Sequence, residues 1–205
     1  MDTGLKPQKA SGLSPARKTA YIGIIICSAF LIYLFGFRGM RFFLVPSGSM
    51  EPTLLPGDRL VTLNQTGYHP GEIVVLRDPE DTGSYVVKRI VALGGDTVSA
   101  DGGALFINGG YASEPYLLEP INYELKPFTV AEDHVFVLGD NRNESEDSSL
   151  WATAVPGNDD PPPAGPRTGK SVPSETIIGR VSYIYYPPTR MGPLRPYPLT
   201  ALKPD

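Results

Sequence analysis

Two arrangements of apolar positions divide the chain. From Ala20 to Phe37 the sequence AYIGIIICSAFLIYLFGF runs for 18 residues without a charge. As a helix this run would be about 27 Å long at about 1.5 Å per residue, close to the hydrocarbon thickness of a bilayer. It exceeds the apolar stretch of an ordinary cleavable leader, and no small-x-small site follows it before Arg38. The pattern predicts one transmembrane signal-anchor helix over residues 20–37. A polar, disordered cytoplasmic tail over 1–19 precedes it and one domain over 38–205 follows.

Beyond Asp58 the apolar runs are short and strand-like: 59–63, 72–77, 84–93, 97–100, 104–108, 134–138 and 176–186. Pro70-Gly71, Asp81-Thr82-Gly83 and Gly94-Gly95-Asp96 separate them. Asp101-Gly102-Gly103 predicts a hairpin turn, and Asn108-Gly109-Gly110 the next. No long amphipathic helix interrupts, so the predicted domain is mostly β, a coiled β-sheet or β-barrel-like unit rather than a set of βαβ units. Phe42-Phe43-Leu44 could be core or could rest on lipid, and a mixture of the two in about equal parts is expected. Residues 154–173, rich in Pro, Gly and Asp, cannot build a packed core and read as a surface excursion. Within it, Gly165 to Ser171 departs from a phosphate-binding loop in its glycine spacing and follows no strand.

One position disturbs the apolar pattern. In Tyr85-Val86-Val87-Lys88-Arg89-Ile90-Val91 a strand places Val86, Lys88, Ile90 and Ala92 on one face and Val87, Arg89, Val91 and Leu93 on the other. Neither face is plainly the wet one. Either Lys88 snorkels from a strand edge, or it is desolvated, its pKa falls, and its neutral amine can accept a proton.

Charge and composition narrow the function classes. Lys6, Lys9, Arg17 and Lys18 against Asp2 place the N-terminus on the cytoplasmic side and the main domain outside. The rest of the chain carries 14 basic and 21 acidic residues, which leaves no electrostatic footprint for nucleic acid. Cys27 is the single cysteine and falls within the apolar run, so the outer domain has no internal disulfide. With only His69 and His134 besides, no Cys/His metal site is expected.

The segment Pro46-Ser47-Gly48-Ser49-Met50-Glu51-Pro52-Thr53 lies 39 residues ahead of the lysine when Ser49 and Lys88 are compared. Prolines stiffen it and Pro52 disfavours helix at Glu51, so it is expected to be extended and open. A serine hydroxyl is a poor nucleophile until a base takes its proton, and a neutral lysine is such a base. The Ser49 N–H and the Ser47 hydroxyl could serve an oxyanion. An ordinary Ser/Gly/Pro loop is the alternative reading of these residues. A third segment, Val137-Leu138-Gly139-Asp140-Asn141-Arg142-Asn143-Glu144-Ser145-Glu146-Asp147-Ser148, follows a strand with dense hydrogen-bonding side chains.

Together these segments resemble the bacterial type I signal peptidases, membrane-bound serine proteases with a Ser/Lys dyad. The resemblance runs in order through Pro46 to Leu63, Gly71 to Pro79, Tyr85 to Val98 and Val135 to Ser148, and the stretch from Ile177 to Pro187 is similar to the family's closing strand. It implies that Ser49 is the nucleophile and Lys88 the general base. It also implies that Ser47 helps an oxyanion hole, that Ser145 orients the lysine amine, and that Arg142 and Asp147 belong to a supporting polar network. Val45, Pro46, Met50, Leu54 and Val87 match positions lining small apolar pockets, although all five could be plain core and Leu54 reads best that way. The implied activity is removal of signal peptides after Ala-x-Ala-like sites, with the substrate adding its backbone to a strand edge. The implied partners are exported preproteins and the lipid bilayer, with no cofactor or metal, as a monomer in a bacterial cytoplasmic membrane.

Two positions depart from the family pattern. Ser149 stands where an arginine commonly follows Asp-Ser, so Arg142 is expected to take over as the partner of Asp147, and Gly94 stands where a proline usually precedes Gly-Asp. A peptidase dedicated to one secretion or conjugation substrate, or an inactive peptide-binding homologue, would carry much the same sequence; the intact Ser49 and Lys88 speak against the latter. Asn64-Gln65-Thr66 and Asn143-Glu144-Ser145 match glycosylation acceptors. A sugar on Asn143 would crowd the site, so a bacterial envelope fits better than a eukaryotic lumen.

Overall fold

The computed structural model describes residues 14–33, 36, 39–81, 83–151, 170–199 and 201–202. The chain divides into two compact units, residues 1–38 and 39–205. In the first, α1 (Pro15–Ile32) starts ahead of the uncharged run and takes in Arg17 and Lys18. Ser14 occupies the N-cap in an extended conformation and Pro15 opens the first turn, where its fixed φ suits the helix and its missing N–H is not needed. Residues 15–19, expected as the end of the polar tail, are therefore helical. The helix is long and apolar enough to cross a membrane, and none of its residues is buried.

The second unit is mostly β. Its larger sheet contains β1 (Arg41–Leu44), β2 (Arg59–Leu63), β3 (Ile73–Arg77), β4 (Tyr85–Leu93), β9 (His134–Leu138), β10 (Val172–Pro173), β11 (Ile177–Tyr186) and β12 (Gly192–Pro193). The order is β1-β2-β11-β3-β4-β9-β10, with β12 on β11, and the sheet curls into a half-barrel. The smaller sheet contains β5 (Thr97–Asp101), β6 (Ala104–Ile107), β7 (Gly110–Ala112), β8 (Leu125–Thr129) and β13 (Ala201–Leu202), in the order β13-β7-β6-β5-β8. Every strand pair is antiparallel. Gly102-Gly103 and Asn108-Gly109 make two-residue turns with positive φ throughout, the conformation that matches the twist of a hairpin.

The centre of the larger sheet is buried on both faces. Ile73 and Val75 of β3 pack with Val45, Met50, Leu54, Leu60 and Val181, while Val74 and Leu76 pack with Ile90, Val135, Val137, Trp151 and Val172. This is why the run Ile73-Val74-Val75-Leu76 lacks polar alternation. A third cluster joins the sheets through Val91, Ala92, Phe136 and Leu138 on one side and Val98, Leu105, Ile107 and Leu125 on the other.

Two local expectations are corrected. Residues 152–169 of the Pro-rich excursion lie outside the described residues, but Val172 belongs to the core and pairs with Val135, so the excursion ends before 172. Glu72 precedes its strand rather than opening it. The apolar patch after the helix is mixed, as expected, and alternates as edge strand β1: Phe43 packs on the core beside Tyr85, while Phe42 and Leu44 are 49% and 59% exposed.

Candidate active site

Ser49 sits in a chain of tight turns between β1 and β2, and the segment is not extended as its prolines suggest. Glu51 N–H donates to the Gly48 carbonyl (3.0 Å) and Leu54 N–H to the Met50 carbonyl (2.9 Å). Met50 and Leu54 anchor these turns in the core, so Ser49 is held by the burial of its neighbours. Asn141 ties the segment to the end of β9: its backbone N–H donates to the Ser49 carbonyl (3.1 Å) and its side-chain amide to the Gly48 carbonyl (3.2 Å). The Ser49 N–H has no backbone acceptor among the described residues.

Lys88 lies mid-strand on β4, opposite Val74, and is 3% exposed. It does not snorkel. Its Nζ donates to Ser145 Oγ at 2.9 Å, and among the described residues it has no carboxylate within salt-bridge distance. Burial pushes its pKa below the ordinary 10.5, against the more distant carboxylates of Asp147, Glu146 and Asp78, which favour the charged form. Gly139 makes the site compact: a Cβ there would overlap both Ser145 Oγ and the Ser49 carbonyl oxygen. Only a residue without a side chain lets the serine that holds the lysine stand so near the nucleophile's backbone.

Ser49, Lys88, Ser47, Val45, Pro46, Met50 and Val87 all line one cleft of about 270 Å³, with Val86, Tyr85, Trp151 and the acidic Asp78, Glu80, Glu144 and Glu146. Leu54 does not line it and belongs to the core. The pairing of β9 with β4 runs from Leu93 to Arg89 and stops, so among the described residues Tyr85 to Lys88 has no partner strand on the cleft side. Among the described residues no group of three or more His, Cys, Asp or Glu side chains is suited to a metal ion.

The supporting network differs from the expected one. Asp147 is fully buried, but Arg142 is not its partner. Its two oxygens accept the backbone N–H groups of Gly139 (2.9 Å) and Ser149 (3.0 Å). A carboxylate bonded by main-chain donors does not need the arginine that Ser149 replaces. Arg142 instead donates from Nη1 to Glu114 Oε2 at 2.6 Å, from Nη2 to Glu114 Oε1, and from Nε to the Gly139 carbonyl at 3.0 Å. Burial alone would lower its pKa; Glu114 reverses this and holds it above the ordinary value.

A second buried pair escaped sequence reasoning. Arg89, beside Lys88 on the opposite face of β4, donates from Nε and Nη2 to the Asp140 carboxylate at 2.8 and 2.6 Å and from Nη1 to the Gly71 carbonyl at 2.8 Å. Thr53 Oγ1 donates to the same carboxylate at 2.5 Å, bringing the nucleophile's own segment into the network. The signal for it was the arginine on a strand with no wet face, which needs a carboxylate as much as the lysine needs an explanation. At the other departure from the family pattern, a Cβ on Gly94 would meet the Ala131 carbonyl at 3.0 Å and Glu132 Cα at 3.1 Å, so close packing accounts for the glycine.

The family profile described as signal peptidase, peptidase S26, matches residues 16–186. The chain is similar to a probable signal peptidase I-1 of Synechocystis sp., 36% identical over 172 residues that cover 76% of this chain and 78% of that protein. It is similar to a signal peptidase I of Leptolyngbya laminosa, 31% identical with 94% and 89% covered, and to one of Mycobacterium tuberculosis, 30% identical with 93% and 78% covered. In structure it is similar to a signal peptidase I of Enterococcus faecalis V583, with a TM-score of 0.42, 27% identity, and 57% of this chain and 98% of that chain covered. The sequence matches carry the assignment.

Proposed function

Because this chain belongs to the signal peptidase family, peptidase S26, we propose that it removes signal peptides from exported precursor proteins with Ser49 as nucleophile and Lys88 as general base. It is a serine peptidase, and the observation that carries the assignment of its base is a buried lysine bonded to a serine rather than to a carboxylate.

The steps follow from that arrangement. Neutral Lys88 takes the Ser49 proton, Oγ attacks the scissile carbonyl, and the tetrahedral oxygen is met by the Ser49 N–H and the Ser47 hydroxyl. The lysine, now protonated, gives its proton to the leaving amine as the acyl-enzyme forms. It then deprotonates the water that releases the signal peptide's new carboxyl end. Ser145 holds the flexible amine on course throughout, a need that follows from lysine's long stem. Substrate enters as an added strand on the open edge at Tyr85 to Lys88, with small side chains accommodated by Val45, Pro46, Met50 and Val87. Helix α1 anchors the enzyme in a bacterial cytoplasmic membrane as a single-pass monomer, with the basic flank inside and the β domain outside.

The test is digestion of an Ala-x-Ala preprotein by the detergent-solubilised protein, with fragment masses read for wild type, Ser49→Ala and Lys88→Ala. Cleavage after the small residue by wild type alone is expected. Cleavage by either variant at the wild-type rate rejects the dyad.

A further inference from the structure

The segment 139–142 is the hinge of the site, because each residue in it makes a separate contact with the machinery. Gly139 packs against both Ser145 Oγ and the Ser49 carbonyl, and Asn141 donates to the Ser49 and Gly48 carbonyls. Asp140 holds Thr53 and Arg89, and Arg142 turns back to the Gly139 carbonyl. Both arginines that brace this hinge are buried, and both meet the same loop of the smaller sheet.

That loop, between β7 and β8, presents Glu114 and Tyr116. Glu114 takes the fork of Arg142 with both oxygens, and Oε1 also accepts the Tyr116 hydroxyl at 2.7 Å. The Tyr116 ring lies under Arg89, with Cζ 4.0 Å from its centroid, and it meets the Tyr197 ring edge-to-face with centroids 5.5 Å apart. The Tyr197 N–H also donates to the Gly71 carbonyl, the group that accepts from Arg89 Nη1. Neither Glu114 nor Tyr116 lines the cleft. Burial of two guanidinium groups adds little net stability, but a bidentate pair and a stacked ring restrict direction as well as distance.

We propose that Glu114 and Tyr116 are positioning residues, through which the smaller sheet sets the distance between the nucleophile segment and the serine that holds the lysine. The proposal rests on the Ser49/Lys88 reading. Its signature is a fall in turnover without a matching fall in substrate binding, since neither side chain reaches the cleft.

Turnover and KM on the preprotein are measured with Tm for Tyr116→Leu, Tyr116→Phe, Glu114→Gln and a control, Leu105→Ala, in the core joining the sheets. Tyr116→Leu should lower kcat about tenfold with KM within about twofold. Tyr116→Phe keeps the ring over Arg89 and should stay within about threefold of wild type, and Glu114→Gln should lower kcat at least as far as Tyr116→Leu. Leu105→Ala should lower Tm yet retain wild-type kcat well below it. If Tyr116→Leu and Leu105→Ala lose kcat equally at equal loss of Tm, the role is structural and the proposal fails. Should Tyr116→Leu not fold, unchanged kcat in Glu114→Gln overturns it alone. Ser49→Ala run alongside separates the two ideas: turnover by that variant removes the dyad, whereas an inactive Ser49→Ala with wild-type kcat in Tyr116→Leu and Glu114→Gln removes only the positioning role.

Discussion

The two faces of β4 treat adjacent cations in opposite ways. Lys88 and Arg89 are 3% and 2% exposed. Arg89 has a bidentate carboxylate, a backbone carbonyl and an aromatic face, and so is fixed in direction as well as distance. Lys88 has one hydroxyl at 2.9 Å, with its nearest carboxylates left to act through space. Burial is the same; the partners differ, and with them the chemistry. A buried cation given a full set of acceptors is an anchor, whereas one given a single neutral partner is driven toward the form that can take a proton.

Exchanging the two cations breaks the comparison most severely. Lys88→Arg keeps the charge but installs a group that does not lose its proton, so initial rates on a preprotein should fall at least about 10³-fold. Arg89→Lys retains a cation for Asp140 but loses the fork, and should cost about tenfold or less in rate with about 1–2 kcal/mol of stability in urea unfolding. Equal losses from the two swaps would mean the faces are not specialised.

Gly139→Ala should come next, with about 100-fold lower kcat, because its methyl group must push Ser145 or the Ser49 backbone aside. A near-normal rate would show that the contact is not needed.

The smallest effect concerns folding. Between the lowered pKa of Lys88 and 10.5, the unfolded chain holds a proton that the folded chain lacks, so wild-type stability rises with pH through that window. Methionine carries no such proton. Lys88→Met should therefore show a flatter stability curve, with its advantage over wild type greatest below the lowered pKa and shrinking toward pH 10.5. Parallel curves would place Lys88 in the charged state.

What the residues disclosed beforehand follows the same division. On the residues alone only Lys88 stood out, because a lysine among valines is costly; that it would meet Ser145 and share a cleft with Ser49 was expected from the family resemblance. The strands from Arg59 onward were legible where apolar runs met glycine or proline turns. The partner of Arg142 was not, because Glu114 sits in a loop without any motif and pairs across 28 positions, which no local pattern records. Strand β8 carries Pro127 and was missed for that reason; it lies at a sheet edge, where a missing N–H is tolerated. Val172 was hidden by its Pro-rich neighbours, and its burial depends on Val135, far away in sequence. The nucleophile segment turns rather than extends because Met50 and Leu54 have a core to enter, and a tertiary contact of that kind overrides local stiffness.

The central claim is that a buried, neutral Lys88 is the base, and the pH dependence of kcat/KM for preprotein cleavage tests it most directly. The lowered pKa predicts a rate that rises through a single ionisation below 10.5 and stays high on the alkaline side until other groups titrate. A maximum near pH 5, falling as the lysine loses its proton, would contradict the account.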